Sequence, residues 1–177
     1  MRTLPIINDL PGPILAGIGR VIILWAHQEH LLRTIIYSLL NLSPKQGRIA
    51  VRSPRVEDVI TMIKHLILVE DIKVDGFDFQ GFTIELKRLE KWRDKLSHGI
   101  WAFHPETKKY VVQDTAGIWK PSPHKPKVSK RISPEGIAVT EDQLSKLIKA
   151  ISLTISETSI LYFQIETIRQ TSPQKSK

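Results

Sequence analysis

Phe79-Gln80-Gly81-Phe82-Thr83-Ile84-Glu85-Leu86-Lys87-Arg88-Leu89-Glu90-Lys91-Trp92-Arg93-Asp94-Lys95-Leu96-Ser97-His98-Gly99 is the most informative stretch of the chain. Phe79, Phe82, Leu86, Leu89 and Leu96 recur at helical spacing, which predicts one helix over about residues 79 to 98 with these side chains on one stripe. The stripe passes through position 93, where the pattern asks for an apolar residue and arginine stands. A guanidinium on a core-facing seam needs a partner, a wet cavity or a ligand, because an unpaired buried charge is costly. His98 ends the stretch, and Gly99 follows where a helix-closing glycine usually sits.

Toward the N-terminus, Leu15, Ile18, Ile22, Trp25, Leu32, Ile36 and Leu39 predict a long amphipathic helix over about 14 to 41. Pro11 and Pro13 precede it, and Asn41 through Gly47 reads as its stop. Ser53 and Pro54 read as the N-cap and first residue of a second helix, with Val56, Val59, Ile60, Ile63 and Ile67 on its apolar face. Glu70 to Asp78 reads as turn.

Beyond Gly99, the stretch Ile100 to Asp114 sets Trp101, Phe103, Tyr110, Val111 and Val112 around Pro105-Glu106-Thr107-Lys108, the pattern of a short hairpin. Residues 117 to 136 mix prolines with serines and lysines and predict an irregular loop. Thr140 and Gln143 form a capping box that opens a last helix, carrying Leu144, Leu147, Ile151, Ile155, Tyr162 and Ile165 to about residue 168. The expected fold is mainly α. A four-helix bundle fills one domain over residues 1–168, with the hairpin and Pro/Lys-rich loop inserted at about 99–136 between the third and fourth helices. Residues 169–177 predict a flexible basic tail.

A chain of 177 residues that is 41% hydrophobic and 25% charged can bury a true core. The absence of cysteine excludes a disulfide framework and a thiolate metal site. The first residues lack the pattern of a signal peptide, and the longest apolar run, Val21 to Ala26, is far too short for a membrane span. A cytoplasmic protein without membrane attachment is expected. Of the net charge of +8, five units come from Lys120, Lys125, Lys127, Lys130 and Arg131 and three from Arg169, Lys175 and Lys177. The remainder is neutral, so attraction to a polyanion belongs to one loop and the tail. The five loop residues are the RNA-binding candidates.

The string Arg93-Asp94-Lys95-Leu96-Ser97-His98 resembles the motif of the HEPN superfamily (higher eukaryote and prokaryote nucleotide-binding domains): arginine, a polar residue, three further positions, histidine. In architecture the resemblance covers most of the chain; in motif it covers only Arg93 to His98. It implies a helical bundle with the motif near a helix end, often in a homodimer that brings two copies together. It further implies a metal-independent endoribonuclease, of a toxin or defence system with an antitoxin or other protein partner, needing no cofactor. Some relatives are instead non-catalytic modules that bind RNA, a nucleotide or a protein.

On this reading, cleavage is a transesterification. His98 acts as base on a ribose 2′-OH or as acid on the leaving 5′-oxygen, because imidazole exchanges protons readily near neutrality. Arg93 holds the scissile phosphate with its planar fork, and Asp94 orients the imidazole. Residues five apart lie about 140° apart around an ideal helix, so Arg93 and His98 do not share a face. Their convergence needs a distorted last turn, a long reach, or a second protomer. The plainer alternative pairs Arg93 with Glu90 and uses His98 as a cap.

Other candidates carry less. Arg20 and His27 form a second arginine–histidine pair, but the apolar Val21 follows the arginine. His27 and His30 lack the spacing of a metal-binding helix, and His65 and His104 have no companions. Trp101 and Trp119 could stack on bases. No phosphate-binding glycine loop is present.

Overall fold

The computed structural model describes residues 9–51, 55–113 and 136–171. In chain order it contains α1 (Gly12–Leu39), α2 (Pro44–Ala50), α3 (Val56–Val69), α4 (Phe79–His98), β1 (Ile100–His104), β2 (Lys109–Gln113), β3 (Ile137–Val139) and α5 (Glu141–Thr171). The fold is mostly helical, with one antiparallel sheet of order β1-β2-β3. The chain falls into two compact units, one from Met1–Ile22 and Lys91–Ile148, the other from Ile23–Glu90 and Lys149–Lys177. No helix among the described residues is long and apolar enough to cross a membrane.

Five helices, not four, stand among the described residues, because α2 occupies a stretch that reads as loop. Its grammar is a capping box. The Ser43 hydroxyl accepts from the Gln46 N–H, the Gln46 side chain accepts from the Ser43 N–H at 2.9 Å, and Pro44 takes the first helical position. Gly47 lies inside α2 rather than stopping α1; the Tyr37 ring packs against it and leaves no room for a Cβ. The stop of α1 is Asn41, at φ +52°. The N–H groups of Asn41 and Leu42 donate to the Ser38 and Tyr37 carbonyls at 2.9 and 2.8 Å, a Schellman closure. Asp71, at φ +53°, ends α3 in the same way, with Ile72 N–H donating to Ile67 at 3.0 Å.

The expected stripe of α1 is displaced by one residue at two points. Ile14 and Val21 are buried, whereas Leu15 and Ile22 are exposed. Ile36 is buried as expected, as is Tyr37; the other buried residues, Ile14, Ile18, Val21, Trp25, Gln28, Leu32, Ile35 and Leu39, alternate steps of four and three, the spacing of a helix–helix seam. On α5 the buried set Leu144, Leu147, Ile151, Thr154, Thr158, Leu161, Ile165 alternates likewise. Thr154 and Leu161 take the places expected for Ile155 and Tyr162, which are half-buried, and Thr158 joins them as a second polar member. The α3 face, Val56, Val59, Ile60, Ile63 and Ile67, is buried throughout as expected.

In the first unit, β1 and β2 form the expected hairpin, with Ala102 opposite Val111 and Phe103 opposite Tyr110. The rings of Phe103 and Tyr110 lie 5.3 Å apart, a cross-strand aromatic pair. Lys108, at φ +52°, turns the chain. β3 was not legible in the sequence: three residues are too few to show alternation, and its hydrogen-bond partner β2 supplies the order.

In the second unit α3 and α4 run antiparallel. Lys87 pairs with Glu57 at 2.5 Å, and the Glu90 carboxylate accepts from the Val56 N–H at 3.4 Å. Glu90 thereby serves the helix start, where the N-cap residue is Arg55, without a side-chain cap bond. The expected cap, Ser53-Pro54, lies outside the described residues.

Within this unit α1 and α5 run parallel. Gln28 Nε2 donates to Thr158 Oγ1 at 2.7 Å, and about three turns further along both helices Arg169 Nη1 donates to the Ser38 carbonyl at 2.7 Å. Arg169 Nη2 also donates to Asn41 Oδ1 at 2.6 Å, placing a cation on the closing turn of α1. Arg169 is thus part of α5, which extends to Thr171. Lys175 and Lys177 lie outside the described residues.

Candidate functional site

The motif occupies the last two turns of α4. Leu89 and Leu96 are buried on the predicted stripe, and Arg93 lies between them in sequence with only 23% of its side chain exposed. The sequence pattern thus anticipated the burial of this arginine. Its Nη1 pairs with Asp94 Oδ1 at 3.0 Å. Asp94 is exposed, and the ion pair joins sequence neighbours rather than the expected i,i+3 partner. Glu90, that expected partner, accepts from the Val56 N–H. Ser97 Oγ donates to the Arg93 carbonyl at 2.8 Å, and Lys95 lies 5.9 Å from the Trp92 ring centroid.

His98 is the final residue of α4 and is exposed. The helix runs unbroken to it, and the Gly99 N–H still donates to the Lys95 carbonyl at 2.9 Å. The last turn of α4 is therefore regular, and the expected distortion there is not found. Gly99 has a different role from the one its position suggests. It does not adopt the left-handed conformation; a Cβ there would overlap the Val112 side chain and the Lys95 carbonyl, so glycine lets β2 approach the helix end. The sheet and the end of α4 thus belong to one unit, with His98 immediately before β1.

The chemistry open to this arrangement is limited and definite. A largely buried guanidinium offers a planar fork for a phosphate, its carboxylate neighbour balances its charge, and an exposed imidazole stands one and a half turns later. No group of three or more histidine, aspartate or glutamate side chains suited to a metal ion occurs among the described residues. Lys120, Lys125, Lys127, Lys130 and Arg131, with Trp119, lie outside the described residues. Arg20, His27, His30 and His65 are placed on α1 and α3, all four exposed. His104 Nδ1 accepts from the Thr107 N–H at 3.3 Å and helps shape the hairpin turn.

Sequence reading missed a second feature. In the second unit, Gly76 to Glu85 and α5 enclose a groove of about 450 Å³ that includes Phe77, Phe82, Leu153, Glu157 and Ile160. The hydrogen bond from Arg88 and then its charge hold the Glu85 carboxyl below its usual range, against the opposing effect of burial. Burial, and then the charge of Glu85, push the Glu157 carboxyl up. Only the exposed apolar residues on α5 could have signalled this groove from sequence. No protein-family model, curated protein or solved structure matches the chain.

Proposed function

We propose that the chain is a HEPN-like, metal-independent endoribonuclease, a cytoplasmic RNA-cleaving protein of a toxin or defence system. The observation that carries this reading is Arg93, a charged side chain three-quarters buried on an apolar stripe, five residues before an exposed helix-end histidine. Arg93 holds the scissile phosphate, and His98 takes the proton from the 2′-OH or gives one to the 5′-oxygen, leaving a 2′,3′-cyclic phosphate. Asp94 balances Arg93 in the resting site. The roughly 140° between Arg93 and His98 on a regular helix favours a homodimer in which one copy's arginine serves the other's histidine. The four long helices α1, α3, α4 and α5 are the members of the HEPN-like bundle on this reading. The basic residues of 120–131 hold RNA non-specifically, and an antitoxin is the expected partner.

One observation favours the second reading, a non-catalytic helical module that binds RNA, a nucleotide or a protein: the Arg93 fork is already engaged by Asp94. Incubating the pure chain with mixed RNA in EDTA separates the two. Cleavage that falls about 10²- to 10⁴-fold in His98→Ala, with melting unchanged, supports the nuclease. Cleavage by His98→Ala at the full rate rejects this site. Serine at Lys125, Lys127, Lys130 and Arg131 should weaken RNA binding and flatten its salt dependence.

A further inference from the structure

Leu153, Ile160 and Phe163 follow one another by seven and three residues along α5, on one helix face, yet they are 61%, 56% and 66% exposed. A groove lies on each side of Ile160, each of about 450 Å³. The first holds Phe77 and Phe82 with Asp78, Glu85 and Glu157; the second holds Val74, Phe163 and Ile168 with the opposite charges of Lys73 and Asp75. Both lie wholly within the second unit. Apolar ridges of this kind, flanked by pockets, are what an amphipathic helix covers.

The charges say which helix. Both Glu85 oxygens accept from Arg88, at 2.6 and 2.8 Å. Glu157, between Leu153 and Ile160, has no ion pair or hydrogen bond from its side chain among the described residues, and the like charge of Glu85 acts on it. A second copy of this chain is a poor occupant. An isologous pairing of two ridges, centred near residue 158, would bring Glu157 close to its own copy, like charge against like.

We propose that this face docks an amphipathic helix of a partner protein, its apolar side chains covering Leu153, Ile160 and Phe163 and a lysine or arginine between them reaching Glu157. The ridge spans about 15 Å, so roughly three turns of partner helix suffice. A docked cation supplies the charge that Glu157 lacks, and the apolar flanks keep water from the pair. The proposal is independent of the nuclease reading, since Arg93 and His98 belong to the other unit.

The test is selection of binders to the full chain from a displayed library of alanine-based helical peptides with one randomised face. Enriched peptides should carry lysine or arginine flanked three or four residues away by leucine, isoleucine or phenylalanine. Their affinity should fall at least tenfold for Phe163→Ser and Leu153→Ser and several-fold for Glu157→Gln, with no loss of thermal stability in any of the three variants. These positions are exposed or partly exposed, and a second ridge variant guards against one that misfolds. Enrichment without basic residues, or no peptide that depends on Phe163, overturns the proposal. A concentration-dependent dimer broken by Phe163→Glu also overturns it, by making a second copy the occupant.

Discussion

The end of α4 and the ridge on α5 solve opposite problems. At the end of α4 a charge sits where the helix wants an apolar side chain, and it is largely buried beside Asp94. On α5 apolar side chains sit where the helix wants polar ones, and they are exposed around a carboxylate that burial and Glu85 disfavour. The first exception lies within six consecutive residues. The second is assembled from α4, the turn before it and α5, residues about seventy apart in sequence. Each breaks a pattern its own helix otherwise keeps, and broken patterns are where function concentrates.

The largest expected effect tests the α4 exception. Arg93→Lys should lower EDTA-resistant cleavage by about 10²- to 10³-fold with little change in melting, because a point charge does not reproduce the fork. In Arg93→Lys/His98→Ala the losses should fall well short of additive, as for residues acting in one step. If Arg93→Ala instead lowers melting while His98→Ala changes nothing, the arginine is a structural device and the contrast collapses.

A second test concerns a polar pair that does belong to the core. Gln28 and Thr158 are fully buried and bonded to each other, and Thr158 Oγ1 also donates to the Thr154 carbonyl at 2.7 Å. Thr158→Val strands the Gln28 amide and should cost about 1–3 kcal/mol by thermal or urea unfolding. Gln28→Leu with Thr158→Val should recover most of that loss. A double mutant as unstable as the sum of its parts would show that packing, not hydrogen bonding, decides the pair.

Smaller still is the helix-closing residue Asp71. Glycine adopts a left-handed conformation without the Cβ penalty, so Asp71→Gly should stabilise by about 0.5–1 kcal/mol and raise the melting temperature by a few degrees. A drop would mean the Asp71 side chain contributes more than its backbone strain costs.

The smallest effect tests the ridge through pH. The Glu157 carboxyl is raised in the folded state, so the folded chain binds its proton more readily than the unfolded chain does. Its ionisation therefore costs stability as pH rises through the folded-state value, and the cost is relieved on acidification. Glu157→Gln should raise stability at neutral pH by less than about 1 kcal/mol, as for a solvent-screened pair. The gain should vanish below the carboxylate range, where both side chains are neutral. A gain that persists there would be unrelated to ionisation. The same groove carries Asp78 and Glu85, with Arg88 bound to Glu85, so the comparison needs Glu85→Gln alongside.

Sequence alone determined the features that spacing sets along one helix or one hairpin. It carried the buried face of α3, the capping box at Thr140, the hairpin, and Arg93 on the stripe of α4, because neighbours three or four apart share a face whatever lies opposite. It missed α2, although the same capping chemistry stands at Ser43 and Gln46, because Gly47 read as a breaker; only the Tyr37 ring packed against it explains the glycine. Tertiary structure also decided the one-residue shift in the α1 seam, the acceptance of Gln28 into the core, and the role of Gly99. Each depends on what another segment presents: Thr158 to Gln28, Val112 to Gly99, Leu144 against Gly17. A periodic sequence states that a helix has an inside, but the partner's surface sets which residues lie on it, since a shift of one residue turns the face by only about 100°.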